Sequence, residues 1–145
     1  MKKPIIGSLA QFNQLYREMD EIYHRYAQSH SISDTALWLL YSLYEEGNTY
    51  TQRELCAAWH VPPQTVNSAL KKLANQGLIA LEPVPGNQKN KQILLTEKGL
   101  ELSRQVILPL VQAEQTVFQE LGEEPQAALL SLTKRYVTLL HTKLN

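Results

Sequence analysis

Residues 63–76, PQTVNSALKKLANQ, carry two kinds of side chain at helical spacing. Val66, Leu70 and Leu73 recur at intervals of four and three residues, which places them on one face of an α-helix. The opposite face is polar. Amides in the first turns of such a helix can form paired hydrogen bonds to adenine, while hydroxyls and lysines suit phosphate oxygens. The residues that we assign to this chemistry are Pro63, Gln64, Thr65, Asn67, Ser68, Lys71 and Lys72.

A second group of cations follows in the segment 85–91, PGNQKNK, which contains Lys89 and Lys91 and no acidic residue. The whole chain has 14 basic and 14 acidic residues, so its net charge says nothing about partners. Residues 61–98, however, contain five lysines and two glutamates, a net charge of +3. Positive charge is therefore concentrated around the polar helix, where it would attract phosphates.

The elements around these residues have clear start and stop signals. Thr51 and Glu54 form a capping box that opens a helix over 52–59, and the Pro62–Pro63 pair forces a turn before the next helix. Gly77 is expected to end that helix. A strand over 78–84, a hairpin tip over 85–91 and a returning strand over 92–95 complete the unit. This order predicts a winged helix-turn-helix, whose second helix fits the DNA major groove.

The flanking segments read as long helices. The first helix, predicted over 8–28, has apolar residues at heptad spacing. The second, over 34–46, is apolar on nearly every side. The fifth begins after Thr96, and we expect a kink in it at Pro109. A sixth is predicted over 126–144. The first and sixth helices present the apolar rows Leu9, Phe12, Tyr16, Met19, Tyr23 and Tyr26, and Leu129, Leu132, Tyr136, Leu139 and Leu140. Such rows fit either the pairing of two copies or packing on the chain's own core.

Composition excludes several classes of protein. The single cysteine, Cys56, rules out an internal disulfide and multi-cysteine metal sites within one chain. No apolar run is long enough to span a membrane, and we expect a cytoplasmic protein without a membrane partner. Motifs for phosphate loops or nucleophilic catalysis are missing, so we expect neither an enzyme nor a cofactor.

The chain resembles the MarR family of dimeric multiple-antibiotic-resistance-type regulators. The resemblance is carried by TQRELCAAW (51–59), VPPQTVNSALKKLANQGLI (61–79) and LLTEKG (94–99). It implies one mainly α-helical MarR-type domain over 1–145, with a winged helix-turn-helix and two-stranded β-wing at 33–99 and dimerisation helices at 1–30 and 100–145. It also implies that Gln64, Thr65, Asn67, Ser68 and Lys72 contact double-stranded DNA in a homodimer.

The wing departs from the family pattern. The family usually has Asp-x-Arg there, whereas this chain has Asn87-Gln88-Lys89. Lysine lacks the planar fork of arginine, so we expect weaker or more salt-sensitive binding by the wing.

The resemblance further implies a ligand-responsive repressor of a pseudo-palindromic operator, with a small aromatic or phenolic effector. Tyr23, Tyr26, Trp38 and Tyr41 supply aromatic surface for it, although aromatic residues at helical spacing are more often core. Three alternatives remain: a redox sensor through Cys56, a metal sensor through the scattered histidines, and a winged-helix module that binds proteins instead of DNA.

Overall fold

The computed structural model describes residues 7–46, 50–59 and 61–145, and within these ranges it contains six helices and three strands. The chain divides into two compact units, residues 1–107 and 108–145, and the division falls inside the fifth helix. The elements are α1 Gly7–Ser29, α2 Asp34–Glu46, β1 Tyr50–Thr51, α3 Gln52–Trp59, α4 Pro63–Asn75, β2 Ile79–Val84, β3 Asn87–Leu95, α5 Glu97–Leu121 and α6 Glu123–Leu144.

Side-chain caps fix where α2 and α3 begin. Ser33 Oγ accepts a hydrogen bond from the backbone N–H of Ala36 at the start of α2. At α3, Thr51 Oγ1 accepts from the N–H of Glu54, and Glu54 Oε1 accepts from the N–H of Thr51. The predicted capping box is therefore confirmed, because both partners satisfy backbone donors that a helix start leaves unpaired.

The hydrophobic core of residues 1–107 lies between α2, α3, α4 and the sheet. Its buried side chains come from every one of these elements, as expected for a helix-turn-helix resting on a small sheet. They are Leu39, Leu43, Leu55, Val66, Leu70, Leu73, Leu78, Ile79 and Ile93. The predicted inner stripe of α4 is confirmed, and the leucines of the all-round apolar α2 are buried.

The sheet is larger than the sequence indicated. Its strand order is β1-β3-β2, and Tyr50 and Thr51 pair with Ile93 and Gln92. A two-residue strand has no periodicity of its own, so β1 could not be predicted locally. The returning strand starts at Asn87 and not at residue 92, because β3 pairs with β2 almost to the turn at Pro85–Gly86, with a register shift between Pro83 and Val84.

The unit 108–145 contains the rest of α5 and all of α6. Gly122 adopts a positive φ of 90° before α6, a conformation that favours glycine. Helix α6 begins at Glu123, three residues before the predicted start, because Pro125 is tolerated in a first turn. Helix α5 runs continuously past Pro109, and the kink stays a prediction. Over the described residues, no helix has the length and apolarity needed to cross a membrane.

Candidate nucleic-acid interface

The polar side of α4 is open to solvent. Burial of Val66, Leu70 and Leu73 turns that side outward, and every residue assigned to it from the sequence is exposed. The helix starts at Pro63, with the carbonyl of Pro62 accepting hydrogen bonds from the N–H groups of Thr65 and Val66. The first two turns thus present amides and hydroxyls, and the third presents Lys71 and Lys72. This arrangement brings together donors and acceptors for base edges with cations for phosphates.

One contact ties this face to the preceding helix. Gln52, the first residue of α3, donates a hydrogen bond from Nε2 to Oδ1 of Asn67 over 3.0 Å. Sequence reasoning did not find Gln52, because the two residues are 15 positions apart and meet only once the helix-turn-helix has folded. The start of α3 therefore borders the face that α4 presents.

The C-terminal end of α4 is fastened to the start of α5. Gly77, at a φ of 76°, donates to the carbonyl of Ala74, and Leu78 donates to that of Leu73, which together form a Schellman motif. The hydroxyl of Thr96 donates to the carbonyl of Gly77 over 2.6 Å. Residues of the LTEKG segment thus hold the end of the helix that carries the polar face.

Lys98 takes part in the same fastening. Its Nζ donates to the carbonyl of Gln76 over 2.8 Å. This lysine contributed to the charge of +3 found in the sequence, but here it caps a helix terminus. Of the other lysines in that segment, Lys71, Lys72 and Lys91 are exposed.

The hairpin of β2 and β3 forms the wing. Gly86 has a positive φ of 80° at its turn, which a side chain would strain. Lys91 is exposed on β3, opposite Pro83. The side chain of Lys89 lies outside the described part of the chain, so its predicted contact stays a prediction.

A groove of about 490 Å³ runs between α4 and residues 31–36 at the start of α2. Thr65, Ser68 and Lys72 line it from the α4 side, and Ser31 and Thr35 line it from the other. Part of the polar face of α4 is thus the wall of a recess bordered by further hydroxyls.

The four aromatic residues proposed for effector binding form two groups. The Tyr23 and Trp38 rings are 5.0 Å apart between centroids, and the Trp38 and Tyr41 rings are 5.6 Å apart. Tyr23 and Trp38 also line a cleft of about 460 Å³ together with Arg17, Asp20, His24 and Asp34. This cleft offers aromatic surface beside charged groups, and its role in effector binding stays a prediction.

Tyr26 belongs to the second group. Its ring lies 4.6 Å from that of His30, and its hydroxyl donates to the backbone carbonyl of Val106. Burial raises the pKa of this hydroxyl above its ordinary value of 10.0. Tyr26 thus joins α1 to α5 within the first unit, and its role in effector binding stays a prediction.

Two of the groups proposed for sensing chemistry are Cys56 and His24. Cys56 is a half-buried free thiol that packs against the core cluster. His24 Nδ1 lies 3.0 Å from a carboxylate oxygen of Asp34, and both side chains are about half exposed. Across residues 7–46, 50–59 and 61–145, no three His, Cys, Asp or Glu side chains are grouped so that they could hold a metal ion.

Long apolar rows on three helices are open in the single chain. Met19 of α1 is 50% exposed and Leu132 of α6 is 63% exposed, although both belong to rows with core-like spacing. Further large apolar side chains beside these rows and on α5 are exposed too, and we include them in the apolar rows from here on. The exposed residues are Leu9, Phe12, Leu15, Tyr16, Met19 and Ile22 of α1, Val117, Phe118 and Leu121 of α5, and Leu129, Leu130, Leu132, Tyr136, Val137, Leu139, Leu140 and Leu144 of α6. Apolar patches of this extent mark interaction surfaces in proteins.

Comparison with known proteins gives consistent results. A model described as the MarR family matches residues 30–89, which span α2 to the start of β3. The HTH-type transcriptional regulator PecS of Dickeya dadantii is 25% identical over 134 residues, covering 90% of this chain and 78% of PecS.

Solved structures share the fold. NMB1585, a MarR family regulator from Neisseria meningitidis, superposes with a TM-score of 0.80 at 21% identity, covering 96% of this chain and 97% of NMB1585. MepR of S. aureus, in its complex with DNA, gives a TM-score of 0.75 at 21% identity over 94% of this chain and 99% of MepR. The predicted winged helix-turn-helix architecture is confirmed.

Proposed function

We propose that this chain is a DNA-binding transcriptional regulator of the MarR family, and that it represses transcription as a homodimer on a pseudo-palindromic operator. The match of a MarR family model to residues 30–89 and the similarity to PecS support this proposal. In this proposal the chain is a regulator and not an enzyme, as are the MarR proteins that it resembles. It would act in the cytoplasm, on the DNA next to the genes that it controls.

The exposed polar face of α4 carries the proposal. An α-helix with its side chains is ~10–12 Å across and the major groove is ~12 Å wide, so the 13-residue α4 can lie in the groove. Gln64 and Asn67 would read base edges, and Thr65, Ser68, Lys71 and Lys72 would hold phosphates. The wing would follow the backbone through Lys91 and Lys89.

The open apolar rows of α1, α5 and α6 support pairing with a second copy. Two copies related by a two-fold axis would place their α4 helices about 34 Å apart, which is one turn of B-DNA. The operator would then consist of two inverted half-sites at that spacing.

A small aromatic effector would regulate binding. The cleft lined by Tyr23 and Trp38 supports this part of the proposal, because its rings could stack on a phenolic molecule beside charged side chains. An effector that favours a non-binding arrangement by about 2.7 kcal/mol would lower operator affinity a hundredfold.

The test starts with selection of duplexes from a random pool, followed by binding titrations at several salt concentrations. We expect an inverted-repeat operator, and we expect Gln64→Ala to reduce discrimination at one base pair of each half-site. Lys71→Ala should weaken binding to all duplexes alike and reduce the salt slope by about one counterion per site.

Lys134→Ala, at an exposed position of α6, is the matched control. It should change neither the discrimination between base pairs nor the salt slope of binding. Binding without sequence preference and without any effect of Lys71→Ala would contradict the proposal. It would favour the alternative of a winged-helix module that binds proteins.

A further inference from the structure

The contact between Gln52 and Asn67 restricts a side chain on the proposed reading face. Asn67 is exposed in the second turn of α4, and Gln52 is half-buried at the first position of α3. Their hydrogen bond, from Nε2 to Oδ1 over 3.0 Å, joins a half-buried side chain of α3 to an exposed side chain of α4. Gln52 itself follows Thr51, whose backbone is held in the capping box and in β1.

The two ends of an asparagine amide have opposite hydrogen-bonding chemistry. Its oxygen offers two acceptor sites, and its nitrogen offers two donors. A freely exposed amide can rotate about its last side-chain bond, which exchanges the positions of the oxygen and the nitrogen. Because Oδ1 of Asn67 accepts from Gln52, the amide is held with its oxygen toward α3, while one oxygen lone pair and the N–H groups remain for another partner.

Those remaining groups match one base edge. Adenine presents an N6 donor beside the N7 acceptor in the major groove, and an asparagine reads both with Oδ1 and Nδ2 together. We propose that Gln52 is a positioning residue for specificity, which sets the orientation in which Asn67 reads adenine. This inference rests on the proposed function, since it assumes that α4 lies in the major groove.

The orientation also matters before DNA arrives. A side chain that is already fixed in its bound conformation loses less conformational freedom on binding than a mobile one. Gln52 would therefore increase discrimination at one base pair and leave the other pairs to their own contacts. A side chain that only touched phosphate would change affinity for every sequence equally.

The experiment compares four proteins on the selected operator and on its single-base-pair variants: wild type, Gln52→Met, Asn67→Ala and the double variant. Methionine keeps the length of the side chain and removes the amide. We expect wild type to prefer one A·T pair by a factor on the order of 5 to 150 over its alternatives. Gln52→Met should lose most of this preference at that same pair, and the double variant should lose no more than Asn67→Ala.

Gln64→Ala is the matched control on the same helix. Gln64→Ala should reduce the preference for a different base pair. When it is combined with Gln52→Met, the two fold-losses of preference should multiply, because independent sites add in free energy. Gln52→Glu gives a further comparison. Its carboxylate only accepts, so it should turn the Asn67 nitrogen inward and abolish the adenine preference.

A second measurement needs no DNA. In wild-type protein, relaxation of the Asn67 side-chain NH2 group should report restricted motion, which Gln52→Met should release without changing the melting temperature. Equal weakening on all duplexes, or loss at a pair that Asn67→Ala leaves unchanged, would overturn the role of Gln52 alone. Wild-type protein without sequence preference would overturn both this inference and the proposed function.

Discussion

Gly99, in the first turn of α5, is a position where no side chain fits. A Cβ atom built there would lie 2.0 Å from the backbone carbonyl oxygen of Leu78. This oxygen belongs to the backbone and not to a flexible side chain. It cannot move aside without breaking the hydrogen bonds that join the end of α4 to the start of α5. The glycine of the LTEKG segment is therefore required by close approach of two chain segments.

We expect Gly99→Ala to lower the free energy of unfolding by about 3 kcal/mol, at the upper end of what overpacking costs. Urea denaturation measures this. Gln105→Ala, on the exposed side of the same helix, is the control and should stay within about 0.5 kcal/mol of wild type. Similar stabilities for the two variants would contradict the close contact.

Tyr26 gives a second prediction for a single residue. Tyr26→Phe removes the hydrogen bond to the Val106 carbonyl and should cost about 1 kcal/mol in the free energy of unfolding. The ring and its contact with His30 would remain.

The same residue predicts a pH dependence. Because burial raises the pKa of Tyr26 above 10.0, its contribution to stability is complete below pH 10 and is lost as the pH rises through the higher pKa of the folded state. Wild type should therefore lose stability above pH 10 more steeply than Tyr26→Phe. Parallel curves from denaturation at increasing pH would show that Tyr26 does not ionise with unfolding.

The start of α3 shows how an element is set by a few local groups. The backbone N–H of Thr51, followed by its side chain, holds the pKa of Glu54 below its ordinary value of 4.5. The contribution of this carboxylate to stability is therefore present above pH 4.5 and is lost as the pH falls through the lower pKa of the folded state.

Thr51→Ala removes the hydroxyl that accepts from the Glu54 N–H, and it should lower the free energy of unfolding by about 1 kcal/mol at neutral pH. Thr51→Ser keeps the hydroxyl and should stay close to wild type. Thermal unfolding of the two variants makes the comparison. Equal losses in both would point to the methyl group of Thr51 and away from its capping bond.

Elements with local signals were predictable from the sequence. The capping box, the proline turn and the Val66, Leu70 and Leu73 stripe fixed α3 and α4 within a residue, because each signal lies inside or beside the helix that it describes. Strand β1 was missed because its pairing with β3 depends on residues 41 and 43 positions away. The Gln52–Asn67 bond and the cap from Lys98 were missed for the same reason, since both join elements that fold together.

For the candidate site, the sequence predicted which residues of α4 are exposed but not the hydrogen bonds that they and their neighbours form. Helical periodicity gave the exposed residues of α4 correctly. Periodicity could not show that Lys98 donates to a carbonyl at the end of α4, or that the amide of Asn67, on the exposed face of α4, accepts a hydrogen bond from Gln52. Those facts depend on distances between elements.

At the scale of the whole molecule, the apolar rows of α1, α5 and α6 give the strongest expectation. Leu132→Glu would place a charge in a row that the proposed homodimer buries. We expect it to shift the protein from dimer to monomer in sedimentation velocity and to weaken operator binding at least tenfold.

Ser131→Glu, the neighbouring exposed position, adds the same charge outside the row and is the control. It should keep the dimer. A wild-type protein that stays monomeric at all concentrations, or two variants with the same behaviour, would contradict pairing through α6.

The joint made by Thr96 and Lys98 has a mechanical consequence. Carbonyls of the last turn of α4 and of Gly77 are bound to the first residues around α5, so a tilt at that end of α5 pulls the end of α4 with it, without slack. We therefore expect a rotation at the start of α5 to be transmitted to α4. A molecule bound against α5 would then move α4 by a few degrees without contacting it.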